Sequence, residues 1–157
     1  MSSRRALGTW TVIAVGLVIL AGAILYDQSN GERQSESGPQ RLARGAQGYD
    51  EHCAACHGAN LEGQRDWRNR DPDGVLPAPP HDATGHTWHH PDQQLFAITK
   101  YGTAALVGPE YRTTMGGFGD VLDDDKIRDV LAFIKSRWPE EIRRRQAGIT
   151  ARAEKAD

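Results

Sequence analysis

The sequence contains few cysteines, few methionines and few aromatic side chains. Of its 157 residues, two are Cys, two are Met and 7% are aromatic. Two cysteines are too few for a disulfide framework, and because both lie within four residues they favour one local chemical site. No nucleophile with a base triad is apparent, and Gly116, Gly117 and Gly119 do not follow the dinucleotide-binding fingerprint.

Neither sign of charge predominates in the chain. It has 19 Lys plus Arg, 21 Asp plus Glu and a formal net charge of -2. The lack of a basic excess argues against nucleic acid as a partner. The length fits one modest globular domain with appendages and excludes a large multidomain enzyme.

A long uncharged segment lies near the N-terminus. Residues 6–26 carry no charge, and as a helix they would span about 30 Å of hydrocarbon. Arg4 and Arg5 precede the segment, whereas Asp27 and Glu32 follow it, so the positive-inside rule places the N-terminus in the cytoplasm and the rest outside. We expect a single-pass anchor over residues 1–26. The alternative is a signal peptide cleaved near residues 21–23.

The remaining chain divides by composition. Residues 27–40 have no large apolar side chain and are predicted to be a flexible linker. Residues 41–139 are predicted to form the folded domain, and residues 140–157 a polar C-terminal tail. Three apolar patterns predict helices: one running into residue 57, one from Pro91 to a C-cap at Gly102, and one from an N-cap at Asp123 to Trp138. No strand pattern is strong, so the fold class is all-α.

The sequence Cys53-Ala54-Ala55-Cys56-His57 matches the C-x-x-C-H pattern of covalent haem attachment. Two thiols at this spacing reach the two vinyl groups of one porphyrin, and the following histidine then becomes an axial ligand of the iron. A zinc site would need further ligands, and a redox dithiol would need a βαβ context. The pattern therefore predicts one covalently bound haem c.

The second axial ligand is predicted to be Met115. Apart from Met1 it is the only methionine, and it lies in a glycine-rich loop after the haem motif. Ligation by His and Met raises the reduction potential and, by filling both axial positions, disfavours binding of oxygen or substrate. Five histidines are rival ligands: His52, His81, His86, His89 and His90.

Residues 41–138 resemble a class I c-type cytochrome. Gly45 and Tyr49 match the N-terminal helix of that family, and Phe133 matches the aromatic residue of the partner helix. The resemblance implies three to four short helices around one haem, with thioethers at Cys53 and Cys56 and axial ligands His57 and Met115. It also implies a proline carbonyl that holds the His57 ring, with candidates Pro77, Pro79 and Pro80. The family often has proline after the axial methionine, whereas here Gly116 and Gly117 follow, and we expect them to soften the loop.

A histidine-rich string over residues 79–92, together with residues 134–139, is similar to short, membrane-anchored bacterial monohaem cytochromes. Its four histidines, His81, His86, His89 and His90, could bind a metal such as copper, or the string could be a polar loop packed near the haem. Two charge clusters, one of aspartates at 120–125 and one of arginines at 143–145, could dock charged partners or could serve as helix caps and a solvated tail.

These patterns predict a membrane-tethered periplasmic electron carrier and not an enzyme. Its partners would be transient redox proteins, and its place a bacterial inner membrane. Two alternatives stay open. The protein could be a haem subunit of a larger membrane complex, which could also use copper, or it could be a ligand-binding haem sensor.

Overall fold

The computed structural model describes residues 38–156, which form an all-α domain. Six α-helices follow one another: α1 Gly38–His52, α2 Ala54–His57, α3 Asp92–Tyr101, α4 Thr103–Val107, α5 Asp124–Ser136 and α6 Glu140–Ala153. A 3-10 turn lies at Thr87–His89. The only β pairing in this part of the chain is an isolated antiparallel bridge between Gly102 and Gly116. The all-α class is thus confirmed, with more helices than the expected three to four.

The three helices predicted from the sequence are present, with adjusted ends. The helix leading into the haem motif is divided at Cys53, which separates α1 from α2. Gly102, with a φ of 85°, ends α3 as expected. The carboxylate of Asp123 caps α5 by accepting a hydrogen bond from the backbone N–H of Lys126 at 2.9 Å. Trp138 lies beyond the end of α5.

Helices α1 and α5 form the main packing contact of the domain. Gly45 faces α5 so closely that a Cβ atom there would lie 2.9 Å from the Phe133 Cβ and would overlap the Asp129 backbone. Tyr49 packs against Phe133 with ring centroids 5.6 Å apart. A small residue followed by an aromatic one on α1 therefore meets the aromatic residue of α5, as the resemblance implied.

A buried carboxylate reinforces this helix pair. Asp129 accepts hydrogen bonds from Arg41 Nε and Arg44 Nε, each at 2.9 Å. The two arginines approach from one face of α1 and occupy both carboxylate oxygens. Because a buried charge is tolerated only when it is paired, these contacts make Asp129 compatible with the packed interface.

The hydrophobic core is small and lies beside the haem motif. Its buried residues are Tyr49, Leu61, Val130, Ile134 and Trp138, with Cys53, Ala54, Trp88, Phe133 and Ile142 packed against them. The Trp138 indole donates a hydrogen bond to the His81 carbonyl oxygen at 2.7 Å. The same core therefore supports the first cysteine of the motif and the loop that follows it.

The structure differs from the sequence analysis at both boundaries of the domain. Helix α1 begins at Gly38, so the predicted linker reaches at most residue 37. Of the segment 140–157, predicted to be a polar tail, residues 140–153 form helix α6 instead. Gln146 of α6 is fully buried and donates to Asp92 Oδ1 at 2.6 Å, while Ile142 packs on the core. A few inward contacts are enough to dock a helix that is polar on average.

The predicted membrane anchor at residues 1–26 lies outside the described residues. Between residues 38 and 156, none of the helices combines the length and the apolar character needed to cross a membrane.

Candidate functional site

The C-x-x-C-H motif forms one tight helical turn. The Cys53 carbonyl oxygen accepts hydrogen bonds from the backbone N–H of Cys56 at 3.1 Å and from that of His57 at 2.9 Å. Both thiols are free, with Cys53 half-buried against the core and Cys56 exposed. Burial raises the pKa of Cys53 to about 11, with a smaller contribution from the neighbouring Cys56. The turn presents two protonatable sulfur atoms and one imidazole within five residues.

The His57 imidazole is oriented by a proline carbonyl. Its Nδ1–H donates to the Pro79 carbonyl oxygen at 2.8 Å, which selects Pro79 from the three candidates Pro77, Pro79 and Pro80. The bond fixes the tautomer and leaves Nε2 as the nitrogen with a lone pair. Burial lowers the pKa of His57, with the Pro79 bond opposing this effect. A neutral ring with an available Nε2 is the form that binds a metal.

The Pro79 carbonyl is held from both sides of the loop. Gln64 exchanges two hydrogen bonds with Ala78, through its backbone N–H at 2.8 Å and its side-chain oxygen at 2.9 Å. On the other side, the backbone N–H of His81 donates to the Leu61 carbonyl oxygen at 2.8 Å. The Pro79 carbonyl that accepts from His57 therefore belongs to a loop that is held in place by backbone hydrogen bonds.

The four histidines of the string 79–92 do not form a metal site. His81 stacks on His57 at 3.8 Å, His86 on Trp67 at 5.4 Å, and His89 on Trp88 at 3.8 Å. In the region from residue 38 to residue 156, no group of three or more His, Cys, Asp or Glu side chains is arranged to hold a metal ion. The string is a packed loop, so the copper hypothesis is not supported by the described residues.

Met115 lies on a different segment from the C-x-x-C-H turn. Its sulfur accepts a hydrogen bond from the Thr103 hydroxyl at 3.8 Å, and its backbone N–H donates to the Thr113 hydroxyl at 3.0 Å. Thr103 is the first residue of α4, so this short helix and the methionine loop are joined through the thioether. The sequence analysis did not identify Thr103, because no spacing rule connects it with Met115.

The glycines after Met115 fit the loop against the end of α3. A Cβ atom at Gly117 would lie 2.6 Å from the Lys100 carbonyl oxygen, whereas Gly116 has open space around it. The backbone N–H groups of Phe118 and Gly119 donate to the carbonyl oxygens of Thr99 and Lys100 at 2.9 and 3.0 Å. The close backbone contact gives one reason for glycine at 117, and the expected softening of the loop stays a prediction.

Helix α4 has apolar side chains without protein cover. None of its residues is buried, and Leu106 and Val107 are 41% and 62% exposed. Exposing two aliphatic side chains on a helix joined to the Met115 loop is unfavourable, unless an apolar group covers them. Two free thiols and a neutral imidazole with an available Nε2 fit the attachment of a porphyrin and the ligation of its iron.

The cytochrome c family model matches residues 42–138 of the chain. The chain belongs to the cytochrome c family. The match includes every helix from most of α1 to the end of α5 and leaves α6 outside. Comparison with curated proteins and comparison with solved structures gave no significant match.

Membership in the cytochrome c family implies a covalently bound haem c with iron. It supports a haem-based electron-transfer role, and members of the family are generally electron carriers and not enzymes. The C-x-x-C-H turn and Met115 both lie inside the matched range.

The two charge clusters are largely engaged within the domain. Asp124 pairs with Lys100 at 2.6 Å, and Asp123 caps α5. In the arginine cluster, Arg144 pairs with Glu140 at 2.7 Å, and the Arg145 guanidinium lies 4.9 Å from the centroid of the Trp88 ring. These contacts favour capping and packing over docking as the role of the clusters.

Proposed function

We propose that this cytochrome c is a membrane-tethered periplasmic electron carrier of class I, with one haem attached at Cys53 and Cys56. The axial ligands would be His57 and Met115. The observation that carries the proposal is the 2.8 Å hydrogen bond from His57 Nδ1 to the Pro79 carbonyl oxygen, which leaves Nε2 for the iron. A histidine directly after the second of two free cysteines and held in this tautomer has the arrangement that axial ligation requires.

The ring contacts of three of the five rival histidines support Met115 as the sixth ligand. His81 is stacked on His57 at 3.8 Å and so lies beside the proximal ring, whereas a sixth ligand must approach the opposite face of the porphyrin. His86 and His89 are stacked on tryptophans. Met115 has a polarisable thioether on a loop joined to the uncovered helix α4.

The chain would contribute fixed ligands to the electron transfer. Haem iron, when bound, supplies the one-electron chemistry. His57 is buried and tied to Pro79, and the Met115 loop is hydrogen-bonded to the end of α3, so both ligand segments are set in advance. A redox partner would dock beside the exposed Cys56, through a small, transient interface.

The tether is proposed from the sequence of residues 6–26 and the arginines before it. An uncharged segment of this length, preceded by Arg4 and Arg5, is typical of an inner-membrane anchor with its N-terminus in the cytoplasm. Covalent haem attachment at C-x-x-C-H outside the cytoplasm agrees with that orientation.

The first test is an absorption spectrum of the full-length protein, oxidised, reduced, and reduced in the presence of carbon monoxide. We expect a sharp c-type reduced spectrum, a methionine-to-iron charge-transfer band in the oxidised form, and no response to carbon monoxide. Met115→Ala should abolish the band, while Thr114→Ala, at the exposed neighbouring residue, should retain it. Ready carbon monoxide binding by the wild type would favour the ligand-binding sensor instead.

The tether and the partners need separate measurements. We expect the protein to remain with membranes after salt washing, with its N-terminal residues intact; a mature N-terminus near Ile24 would show a cleaved signal peptide. A carrier should exchange electrons with soluble acceptors when isolated. Stoichiometric copurification with a larger membrane complex would favour the haem-subunit alternative.

A further inference from the structure

The His81 ring lies flat against the His57 ring. The centroids are 3.8 Å apart and the planes differ by 17°. His81 is a half-buried residue, but its Nδ1 atom is buried and has no hydrogen-bond partner among the described residues. A buried polar nitrogen without a partner is costly, so an aliphatic side chain would pack here at lower cost if packing were all that the position required.

His81 is itself firmly placed by the core. Its backbone N–H donates to the Leu61 carbonyl oxygen at 2.8 Å, and its own carbonyl oxygen accepts from the Trp138 indole at 2.7 Å. The Tyr49 ring meets it edge-on, with centroids 6.0 Å apart. Leu61, Trp138 and Tyr49 are all core residues, so the position of the His81 ring is set by the most buried part of the domain.

The Pro79 hydrogen bond alone does not determine the plane of the His57 ring. The ring turns about its Cβ–Cγ bond, and a single hydrogen bond at Nδ1 restrains this rotation but tolerates a range of angles. A flat ring parallel to it at 3.8 Å blocks this rotation, because turning His57 would drive its edge into His81. The hydrogen bond and the stack are therefore complementary restraints on one imidazole.

We propose that His81 is a positioning residue whose stacked ring sets the plane of the His57 imidazole and hence its orientation toward the iron. This inference rests on the proposed role of His57 as axial ligand. The role proposed for His81 is to set the plane of the His57 imidazole; whether His57 binds the iron does not depend on His81.

The test compares three variants of the haem-loaded, full-length protein by electron paramagnetic resonance in the oxidised state. His81→Leu removes the flat face, and His81→Phe keeps it. His89→Leu is the matched control, because His89 also stacks at 3.8 Å but on Trp88 and not on His57. The low-spin iron signal reports the orientation of the axial ligands independently of electron-transfer activity.

We expect His81→Leu to broaden the lowest-field resonance or to split it into two species, and His81→Phe and His89→Leu to retain the single wild-type signal. An unchanged signal in His81→Leu would overturn the proposal, as would a change of equal size in His81→Phe. If His81→Leu does not accumulate, His81→Met takes its place, because methionine is a flexible side chain without a flat face. Comparing His81→Phe with His81→Met then gives the same test. Failure of the His57 assignment would be distinguishable, because the wild-type protein itself would then lack the low-spin c-type spectrum.

Discussion

Gly45 of α1 lies directly against the backbone of Asp129 in α5, with no room between them for a side chain. Replacing Gly45 with Ala would place a Cβ atom in the space of the Asp129 carbonyl oxygen and 2.9 Å from the Phe133 Cβ. Because the two helices form the main packing contact, we expect a loss of about 3 kcal/mol in the free energy of unfolding, measured by denaturant titration of the haem-loaded protein.

Gly148→Ala in α6 is the control for the Gly45 substitution. Its nearest contact would be an arginine Nη1 at 3.5 Å, an ordinary van der Waals distance. Alanine in a helix interior should stabilise the protein by about 0.5 to 1 kcal/mol. Equal changes in the free energy of unfolding for Gly45→Ala and Gly148→Ala would contradict the close contact between α1 and α5.

The two glycines after Met115 should respond differently to substitution. Gly117→Ala introduces a Cβ atom 2.6 Å from the Lys100 carbonyl oxygen, whereas Gly116 has no neighbour within 4 Å. We expect Gly117→Ala to displace the loop and to weaken the methionine-to-iron charge-transfer band in the oxidised spectrum. Gly116→Ala should keep the band. Retention of full intensity in both variants would show that the loop contact does not hold Met115.

The Thr103 hydroxyl should raise the reduction potential through Met115. By donating to the sulfur at 3.8 Å it withdraws electron density from the thioether, which favours the reduced iron. A contribution of about 0.5 to 1 kcal/mol corresponds to roughly 20 to 40 mV for one electron. We expect the reduction potential of Thr103→Val, measured by spectroelectrochemical titration, to be lower than that of the wild type by this amount. Thr114→Val is the control and should leave the potential unchanged; a decrease there would assign the effect to the loop as a whole.

Tyr49 should make the protein less stable at alkaline pH. Burial raises the pKa of Tyr49 well above its usual 10.0, so the folded state keeps the hydroxyl protonated while the unfolded chain ionises. The unfolded state then binds fewer protons, and the free energy of unfolding decreases as pH rises above about 10. We expect a shallower decrease in Tyr49→Phe than in the wild type.

At neutral pH, Tyr49→Phe should cost about 1 kcal/mol, because the hydroxyl donates to the Gly58 carbonyl oxygen at 2.9 Å. Tyr101→Phe, at a ring that is 58% exposed, is the matched control for loss of a tyrosine hydroxyl. An alkaline slope in Tyr49→Phe identical to that of the wild type would exclude Tyr49 as its source.

Gln146 should anchor helix α6 to the domain. The side chain is fully buried and donates to Asp92 Oδ1 at 2.6 Å and to the His90 carbonyl oxygen at 3.2 Å. Gln146→Leu removes both hydrogen bonds, while Asp92 Oδ1 keeps its hydrogen bond from the Lys135 ammonium at 2.8 Å, so we expect a loss of about 1 kcal/mol in thermal unfolding. Gln93→Leu at an exposed position of α3 should be nearly neutral, and comparable losses in both would contradict the anchoring role.

Local patterns predicted the parts of the molecule that depend on neighbouring residues. The Asp123 cap, the end of α3 at Gly102 and the cysteine and histidine spacing within one turn are all set within a few residues of chain. Helix α6 was not predicted, because it depends on contacts with residues far away in the sequence. Its polar composition resembles a solvated tail, and only its contacts with Asp92 and the core make it a folded element.

The sequence by itself determined the chemistry that the site can offer: two thiols and an imidazole within five residues, one methionine downstream, and the family to which residues 42–138 belong. Only the tertiary structure decided which proline faces His57, that His81 stacks on its ring, and that Thr103 reaches the Met115 sulfur. The reason is physical. Residue types and short spacings specify local turns and donor atoms, whereas contacts between segments 12 to 24 residues apart depend on how the whole chain packs.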